Sequence, residues 1–370
     1  MRSFIAALAV IGAQAFETSK YSTFSEKQQA NGTFSPITLT IDGVDTTKYL
    51  VTDWCSSSGK EYICAMNNRG YIMDTPNWDA TNPQFYTPNL LGGYIEWDTD
   101  VSAFECGCLN TFYTVKMPGR DWGGSFDTKN DHWFYCDANV QDSLCPEMDL
   151  QEANKYSYAT TPHKCNSPDG DGHYTYCDGA GQCALNIVEQ LGGNDYGPGS
   201  QYAINTEQPY HVKVSFEDTD ANGNLQSITT TFTQGANTRT MQTQGCSYLQ
   251  DIDDDISNGM AFVVSAWGEG ITDPSVTNWL TKDRCYGTCN VAAQETIKNI
   301  SIKVGTVKPS GGGGGGYDPT KFDFGDGCAT ATDGQCGDES CPSVDHCRWS
   351  WNKGGRWDDP SADCRCDIAV

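Results

Sequence analysis

Residues Tyr94-Ile-Glu-Trp-Asp-Thr-Asp-Val101 alternate between two kinds of side chain, the period-two pattern of a strand with one buried face. The same reading extends along the chain. His211-Val-Lys-Val-Ser-Phe216 alternates, Leu225 to Phe232 is rich in β-branched residues, and Ile300-Ser-Ile-Lys-Val304 alternates again. Met260-Ala-Phe-Val-Val-Ser-Ala-Trp267 is a nearly continuous apolar run. Turn-forming clusters separate these segments: Gly192-Gly193-Asn194-Asp195, Tyr196-Gly-Pro-Gly199 and Asp220-Ala-Asn222-Gly223-Asn224. Few stretches carry a helical stripe, and there is no strand-helix-strand rhythm. Many short strands joined by long loops predict an all-β protein built as an antiparallel β-sandwich.

Composition narrows the class further. The 370 residues include 48 Asp plus Glu against 23 Lys plus Arg, a formal net charge of −25. So acidic a surface repels nucleic acid and anionic lipid, so neither is expected as a partner. No apolar run reaches the roughly 18–20 residues of a membrane span. Eighteen cysteines point to an oxidising compartment. Residues 1–15 read as a secretory signal peptide, with Arg2 at the start, an apolar run from Phe4 to Ala13, and Ala13-Gln14-Ala15 at the cleavage positions. A secreted, extracellular protein is expected, and the sequons at Asn31 and Asn299 fit a glycoprotein.

A second boundary falls at Ser310 and the six glycines Gly311 to Gly316, which read as a flexible linker over 310–316. It separates a large domain, 16–309, from a module of 54 residues, 317–370, and divides the cysteines 12 and 6. Both numbers are even, so each part can close its own disulfides. A piece as small as 317–370 needs such bridges to hold a fold.

The stretch richest in chemistry is Cys145-Pro-Glu147-Met-Asp149-Leu-Gln-Glu152-Ala-Asn154. On a strand Glu147 and Asp149 share a face. Glu152 lies at an odd offset from Glu147, so strict alternation turns it the other way, and one bulge residue would bring all three acids to one side. Three carboxyls on one face repel each other, which a purely structural strand has no use for. They suit acid/base work, because one can stay ionised while a neighbour holds a proton.

Residues 145–165 closely resemble the active-site strand of glycoside hydrolase family 7, the fungal-type cellobiohydrolases and endoglucanases. The family pattern Glu-x-Asp-x-x-Glu-Ala-Asn is present, with Thr161-Pro162-His163 placing the histidine eleven residues after Glu152. Tyr135-Cys136-Asp137, Tyr196-Gly-Pro-Gly-Ser200 and the run from Gly259 to Trp267 are also similar to family motifs, in the same order. The resemblance implies a concanavalin-like jelly roll with a curved cleft for a β-glucan such as cellulose. It also implies hydrolysis with retention, with Glu147 as nucleophile, Glu152 as general acid/base and Asp149 tuning Glu147. His163 would stand on the leaving-group side, Tyr135 and Asp137 would support the sugar at the cleaved bond, and Trp267 and Trp279 would stack on sugars. Retention places the two carboxyls about 5–5.5 Å apart. No cofactor and no metal are expected, and the protein is expected to be a monomer. Trp349 and Trp351 share a face if 317–370 folds as a strand there, which suits a carbohydrate-binding module.

Several departures from the family stand out. Gln151 occupies a position usually held by tryptophan and, by alternation, faces away from Leu150. The connection from Cys136 to Glu147 is short, which predicts an open cleft and internal cleavage of β-1,4 bonds in cellulose or mixed-linkage glucan. Arginines expected near the leaving sugar are replaced by Gln190 and Tyr286, with Arg284 a candidate substitute. Asp218-Thr-Asp220-Ala-Asn222-Gly223 looks like the start of a calcium loop but lacks its final glutamate, so a hairpin turn is expected. Asp251-Ile-Asp253-Asp254-Asp255 is expected to be a solvated acidic loop, the five histidines lack metal-ligand spacing, and Cys106 and Cys108 are expected in disulfides. The rival reading is a non-catalytic glycan-binding or cell-wall protein on the same sandwich; another glucan linkage is a further alternative.

Overall fold

The computed structural model describes residues 33–52, 55–140, 143–243, 245–268, 277–289 and 293–309. The signal peptide 1–15, the linker 310–316, the module 317–370 and the sequon at Asn31 lie outside the described residues. The chain opens with β1 (Thr33–Ile41), β2 (Val44–Thr52), β3 (Cys55–Ser58), β4 (Glu61–Ala65) and β5 (Asn68–Met73). Then come β6 (Tyr94–Asp100), β7 (Leu109–Val115), β8 (Glu147–Ala153) and β9 (Tyr158–His163). Short elements follow: β10 (Leu185–Asn186), α1 (Ile187–Leu191), β11 (Tyr196–Gly197) and β12 (Ile204–Asn205). The long strands β13 (Tyr210–Thr219) and β14 (Leu225–Gln234) lead to β15 (Asn237–Gln242) and α2 (Asp253–Asn258). Last are β16 (Ala261–Trp267), α3 (Asn278–Thr281) and β17 (Gln294–Lys303).

One continuous sheet runs β10-β9-β8-β7-β16-β5-β2-β1-β17-β6-β13-β14-β15, with β3 and β4 hung from β17. It folds over on itself, so the half from β10 to β2 faces the half from β1 to β15 across one apolar core. The alternation of Tyr94–Val101 explains why. Ile95 and Trp97 point into that core with Val212 and Val214 of β13, while Glu96, Asp98 and His211 stay on the outer side. Aromatic rings join the two layers: Trp97 meets Phe112 of β7 edge-on at 5.0 Å, and Tyr158 of β9 meets Phe232 of β14 at 4.7 Å. The architecture is the all-β sandwich expected from the alternation. Every strand expected by its pattern is present, most of them a residue or more longer than the apolar run itself. The pairing is antiparallel throughout the main sheet except β1 with β17, which is parallel.

Among the described residues six disulfides tie the loops: Cys55–Cys64, Cys106–Cys285, Cys108–Cys289, Cys136–Cys145, Cys165–Cys177 and Cys183–Cys246. Cys106 and Cys108 are therefore bridged, each to a cysteine close after α3. Asp220 closes the β13–β14 hairpin by accepting the Asn222 and Asn224 amides, at 2.8 and 2.9 Å. The acidic run at Asp251 differs from the solvated loop expected. Ile252 and Ile256 pull it into α2, and Asp253 is carried to full burial, where it accepts the Leu225 amide at 3.1 Å. Among the described residues no helix is long and apolar enough to cross a membrane.

Candidate active site

The outer face of the β10-to-β2 layer carries a cleft of about 780 Å³ that crosses β9, β8, β7, β16 and β5. Strand β8 supplies its floor. Along β7 the partners run Val115 to Glu147, Thr114 to Met148, Tyr113 to Asp149, then Phe112 to Gln151, which leaves Leu150 as the extra residue of a bulge. The bulge does what the odd spacing required: Glu147, Asp149 and Glu152 all line the cleft. The backbone carbonyl of Leu150 accepts the Tyr158 hydroxyl at 2.6 Å and the Thr160 hydroxyl at 3.2 Å, so the irregularity leaves no buried acceptor unpaired.

The bulge also corrects the expectation for Gln151. Strict alternation turned it away from Leu150, yet both sit on the core side of β8. The Gln151 amide oxygen accepts the Trp97 indole N–H at 3.2 Å, and its nitrogen donates to Thr99 at 3.2 Å and to Asn110. A polar side chain in the core is thus satisfied from both layers, directly beneath the carboxylates.

The three acids have different company. Glu147 accepts the Ala138 amide at 3.1 Å. Asp149 is bonded to His163 Nε2 at 2.9 Å, and His163 Nδ1 donates to the Asp178 carbonyl at 2.9 Å. One nitrogen facing a carbonyl and the other a carboxylate is the setting of an imidazolium. Burial works against that charge, but Asp149 and the two glutamates prevail and push the His163 pKa up to about 10. Glu152 has only the Thr161 hydroxyl, at 3.4 Å. One polar atom each of Glu147, Asp149 and His163 lie within 4.8 Å of one another. Burial and then mutual repulsion by Asp149 raise both glutamates well above the usual carboxylate range; burial also raises Asp149, held back by its bond to His163. The three carboxyls interact closely enough that they titrate as a group.

His163 is held by close packing as well. Gly181 has φ +67°, and a Cβ there would lie 2.5 Å from Thr161 and 3.0 Å from the His163 ring. Only glycine lets the 178–181 turn come this near.

All eight residues marked out in the sequence line this one cleft: Glu147, Asp149, Glu152, His163, Tyr135, Asp137, Trp267 and Trp279. Tyr135 is buried, and its hydroxyl donates to Asp137 at 2.6 Å while receiving the Tyr113 hydroxyl at 2.9 Å. Asp137 also accepts the amides of Asn139 and Val140, at 2.7 and 2.6 Å, which fixes the turn that offers Ala138 N–H to Glu147. Trp267 ends β16, and Trp279 stands on α3 with its side chain 43% exposed. Arg284 does not join them. Its guanidinium donates to the carbonyls of Tyr156, Tyr196 and Gly193, so it clamps three loops. Arg69 and Tyr113 line the cleft without any sequence signal; the Arg69 guanidinium stacks 3.7 Å over the Tyr135 ring. Arg69 sits in Asn68-Arg-Gly-Tyr-Ile-Met73, an ordinary strand start whose charged member only the fold brings to the site.

The comparison with known proteins agrees with this layout. Residues 136–262, which include β8, β9 and the turn at Asp137, match the model of glycosyl hydrolase family 7. Over that stretch, which holds the carboxylate strand, the chain is similar to glycosyl hydrolase family 7. Endoglucanase EG-1 of Trichoderma longibrachiatum is 26% identical over 282 residues, covering 68% of this chain and 58% of that protein. The probable endo-beta-1,4-glucanase celB of Aspergillus clavatus is 29% identical over 217 residues, covering 50% of this chain and 51% of its own length. The chain thus spans little more than half the length of these relatives. Among solved structures, the endocellulase EGI of Humicola insolens superposes with a TM-score of 0.57 at 16% identity, over 76% of this chain and 98% of that one. The family 7 cellobiohydrolase from Daphnia pulex gives 0.55 at 16% identity, over 75% and 98%. At such identity the structural likeness speaks for the family 7 fold.

Proposed function

We propose that the protein is a secreted, retaining glycoside hydrolase that cleaves internal β-1,4 bonds of cellulose or mixed-linkage β-glucan. The observation that carries this reading is the bulge at Leu150, which turns Glu147, Asp149 and Glu152 into one cleft. Of the two glutamates Glu147, next to the charged His163–Asp149 pair and bonded to an amide, is the better supported as an anion. It attacks the anomeric carbon and forms a glycosyl-enzyme ester. Glu152, with a neutral hydroxyl as its only bonded neighbour, keeps its proton and gives it to the departing oxygen. It then takes a proton from the water that hydrolyses the ester. Asp149 holds the imidazolium, and Asp137, buttressed by Tyr135, orients the turn beside the nucleophile. Names of similar proteins, endoglucanase and endo-beta-1,4-glucanase, favour the substrate class.

The short connection from Cys136 to Glu147, closed by the Cys136–Cys145 disulfide, leaves little chain to roof the cleft and favours internal cleavage. The signal peptide at 1–15 places the enzyme outside the cell. The linker 310–316 tethers 317–370 as a carbohydrate-binding module, which raises effective concentration on insoluble glucan. Removing 310–370 is expected to weaken retention on cellulose.

Hydrolysis of soluble β-glucan by the wild type and Glu147→Gln tests the reading. The variant should lose about three or more orders of magnitude in rate, and wild-type viscosity should drop well before reducing ends accumulate. An active Glu147→Gln overturns the mechanism. Almost pure disaccharide from the start overturns internal cleavage, and binding without cleavage makes the protein a glycan-binding one.

A further inference from the structure

At the β10 end of the cleft two charged residues, Lys282 and Glu189, join Trp279 and Asn186 in the lining. Lys282 follows α3 directly, and both it and Asp283 have left-handed backbones, φ 49° and 61°. Two successive non-glycine residues in that region are costly, on the order of 1 kcal/mol each or more. The surroundings hold them there. Lys282 N–H donates to the Asn278 carbonyl at 2.8 Å, and Asp283 N–H to the Asn278 side chain at 2.8 Å. The Asp283 carboxylate in turn accepts the Tyr286 hydroxyl at 2.7 Å.

The result of this bend is to set Lys282 Nζ 3.0 Å from Glu189 Oε1 at the cleft lip. The two side chains are 35% and 57% exposed, and so open an ion pair contributes little to stability. The ion pair therefore does not explain the left-handed backbone; the hydrogen bonds to Asn278 do, closing α3 with a left-handed cap. The ion pair leaves ammonium N–H groups and a carboxylate oxygen for a ligand, in the same stretch of cleft lining as the part-exposed Trp279. A donor and an acceptor beside an aromatic face match a sugar ring, which offers an apolar face and adjacent hydroxyls.

We propose that Lys282, held by Glu189, hydrogen-bonds the hydroxyls of the glucose unit stacked on Trp279, and so sets how firmly the cleft binds sugar on the β9–β10 side of β8. This rests on the glucan hydrolase reading above, with His163 on β9 marking that side as the one the leaving sugar occupies. Lys282 is a specificity-determining residue here and takes no part in proton transfer.

Three variants test it: Lys282→Gly, Lys282→Met and Glu189→Gln. Substrates are cello-oligosaccharides of four to six units and an aryl cellobioside whose leaving group is the dye. Lys282→Met and Glu189→Gln should each lower kcat/KM on the oligosaccharides about tenfold and shift the cleavage positions, with the aryl substrate changed less than about twofold. Combining Lys282→Met with Glu189→Gln should lose little more than either single change. Lys282→Gly should do the same while raising the melting temperature, because glycine relieves the left-handed strain. Equal effects on both substrates, no effect on either, or a less stable Lys282→Gly overturns the proposal. Calorimetric titration of wild type and Lys282→Met with cellotetraose separates the two readings. A wild type that binds but does not cleave removes the hydrolase reading alone, whereas unchanged affinity in Lys282→Met removes the role of the pair.

Discussion

Two strands of this protein bury glutamates, and only one gives them a use. On β8, Glu147 and Glu152 face a cleft with an amide, a hydroxyl and a charged histidine–aspartate pair around them. On β17, Glu295 takes a core position in register with Cys64, and neither of its oxygens has a hydrogen-bond partner among the described residues. Burial lifts the carboxyl pKa well above its ordinary range in all three. A raised pKa alone therefore does not mark a catalytic acid. The arrangement on β8 differs because its acids reach a cavity, lie close enough to repel one another, and have a cation beside them. Glu295 has a neighbouring Tyr62, but that hydroxyl donates to the Val264 carbonyl at 3.1 Å.

The largest effect should come from splitting the roles of the two β8 glutamates. If Glu152 is the proton donor, as proposed, Glu152→Gln should lower glucan hydrolysis about 10²–10⁴-fold. Release of a good aryl leaving group, which needs no proton, should fall far less in its first step. Comparable losses on both substrates would put Glu152 on the same footing as a merely structural acid.

Glu295→Gln probes the other strand. Above the ordinary glutamate value of 4.5 the unfolded chain has lost this proton while the folded chain keeps it. The unfolded state then binds fewer protons, so stability falls as pH rises, by about 1.4 kcal/mol per pH unit until the buried carboxyl itself ionises. Urea unfolding of the two proteins from pH 4 to 8 should show the wild type losing ground by up to tenfold per unit in folding constant, at unchanged activity. Parallel curves would mean that Glu295 is not proton-bound in the fold. The other buried acids act equally in both proteins and cancel.

A smaller effect is expected at His163. Its charge lowers the pKa of Asp149 and Glu147, so His163→Asn should raise them and move the acid limb of the kcat/KM profile to higher pH. The rate at pH 5 should fall several-fold more than the rate at pH 7. A variant that lowers the rate equally at every pH would show His163 acting by shape alone.

What could be read in advance followed from local pattern. The alternation of Tyr94–Val101 sets which side of β6 meets the core, and the spacing of Glu147, Asp149 and Glu152 calls for one extra residue, which the structure places at Leu150. The direction of Gln151 was not legible, because it depends on where between Asp149 and Glu152 the bulge falls. Arg69 and Lys282 reach the cleft from β5 and from the end of α3, so their place depends on sheet order, which no short pattern carries. Arg284 looked like a substitute for a sugar-binding arginine, yet three backbone carbonyls claim it. Asp253 looked solvated because charge counts predict surface; the apolar Ile252 and Ile256 beside it decided otherwise.

The central claim is that Glu147 forms a bond to the sugar while its neighbours on β8 do not. Incubation with a 2-deoxy-2-fluoro cellobioside bearing an activated leaving group slows breakdown of the glycosyl-enzyme ester, and mass spectrometry of the digested protein then locates the adduct. The account predicts one added disaccharide per chain, on the peptide containing Glu147 and on that residue within it, with none in Glu147→Gln. An adduct on Asp149, Glu152 or Glu295, or turnover of a natural glucan with inversion and no adduct, would contradict it.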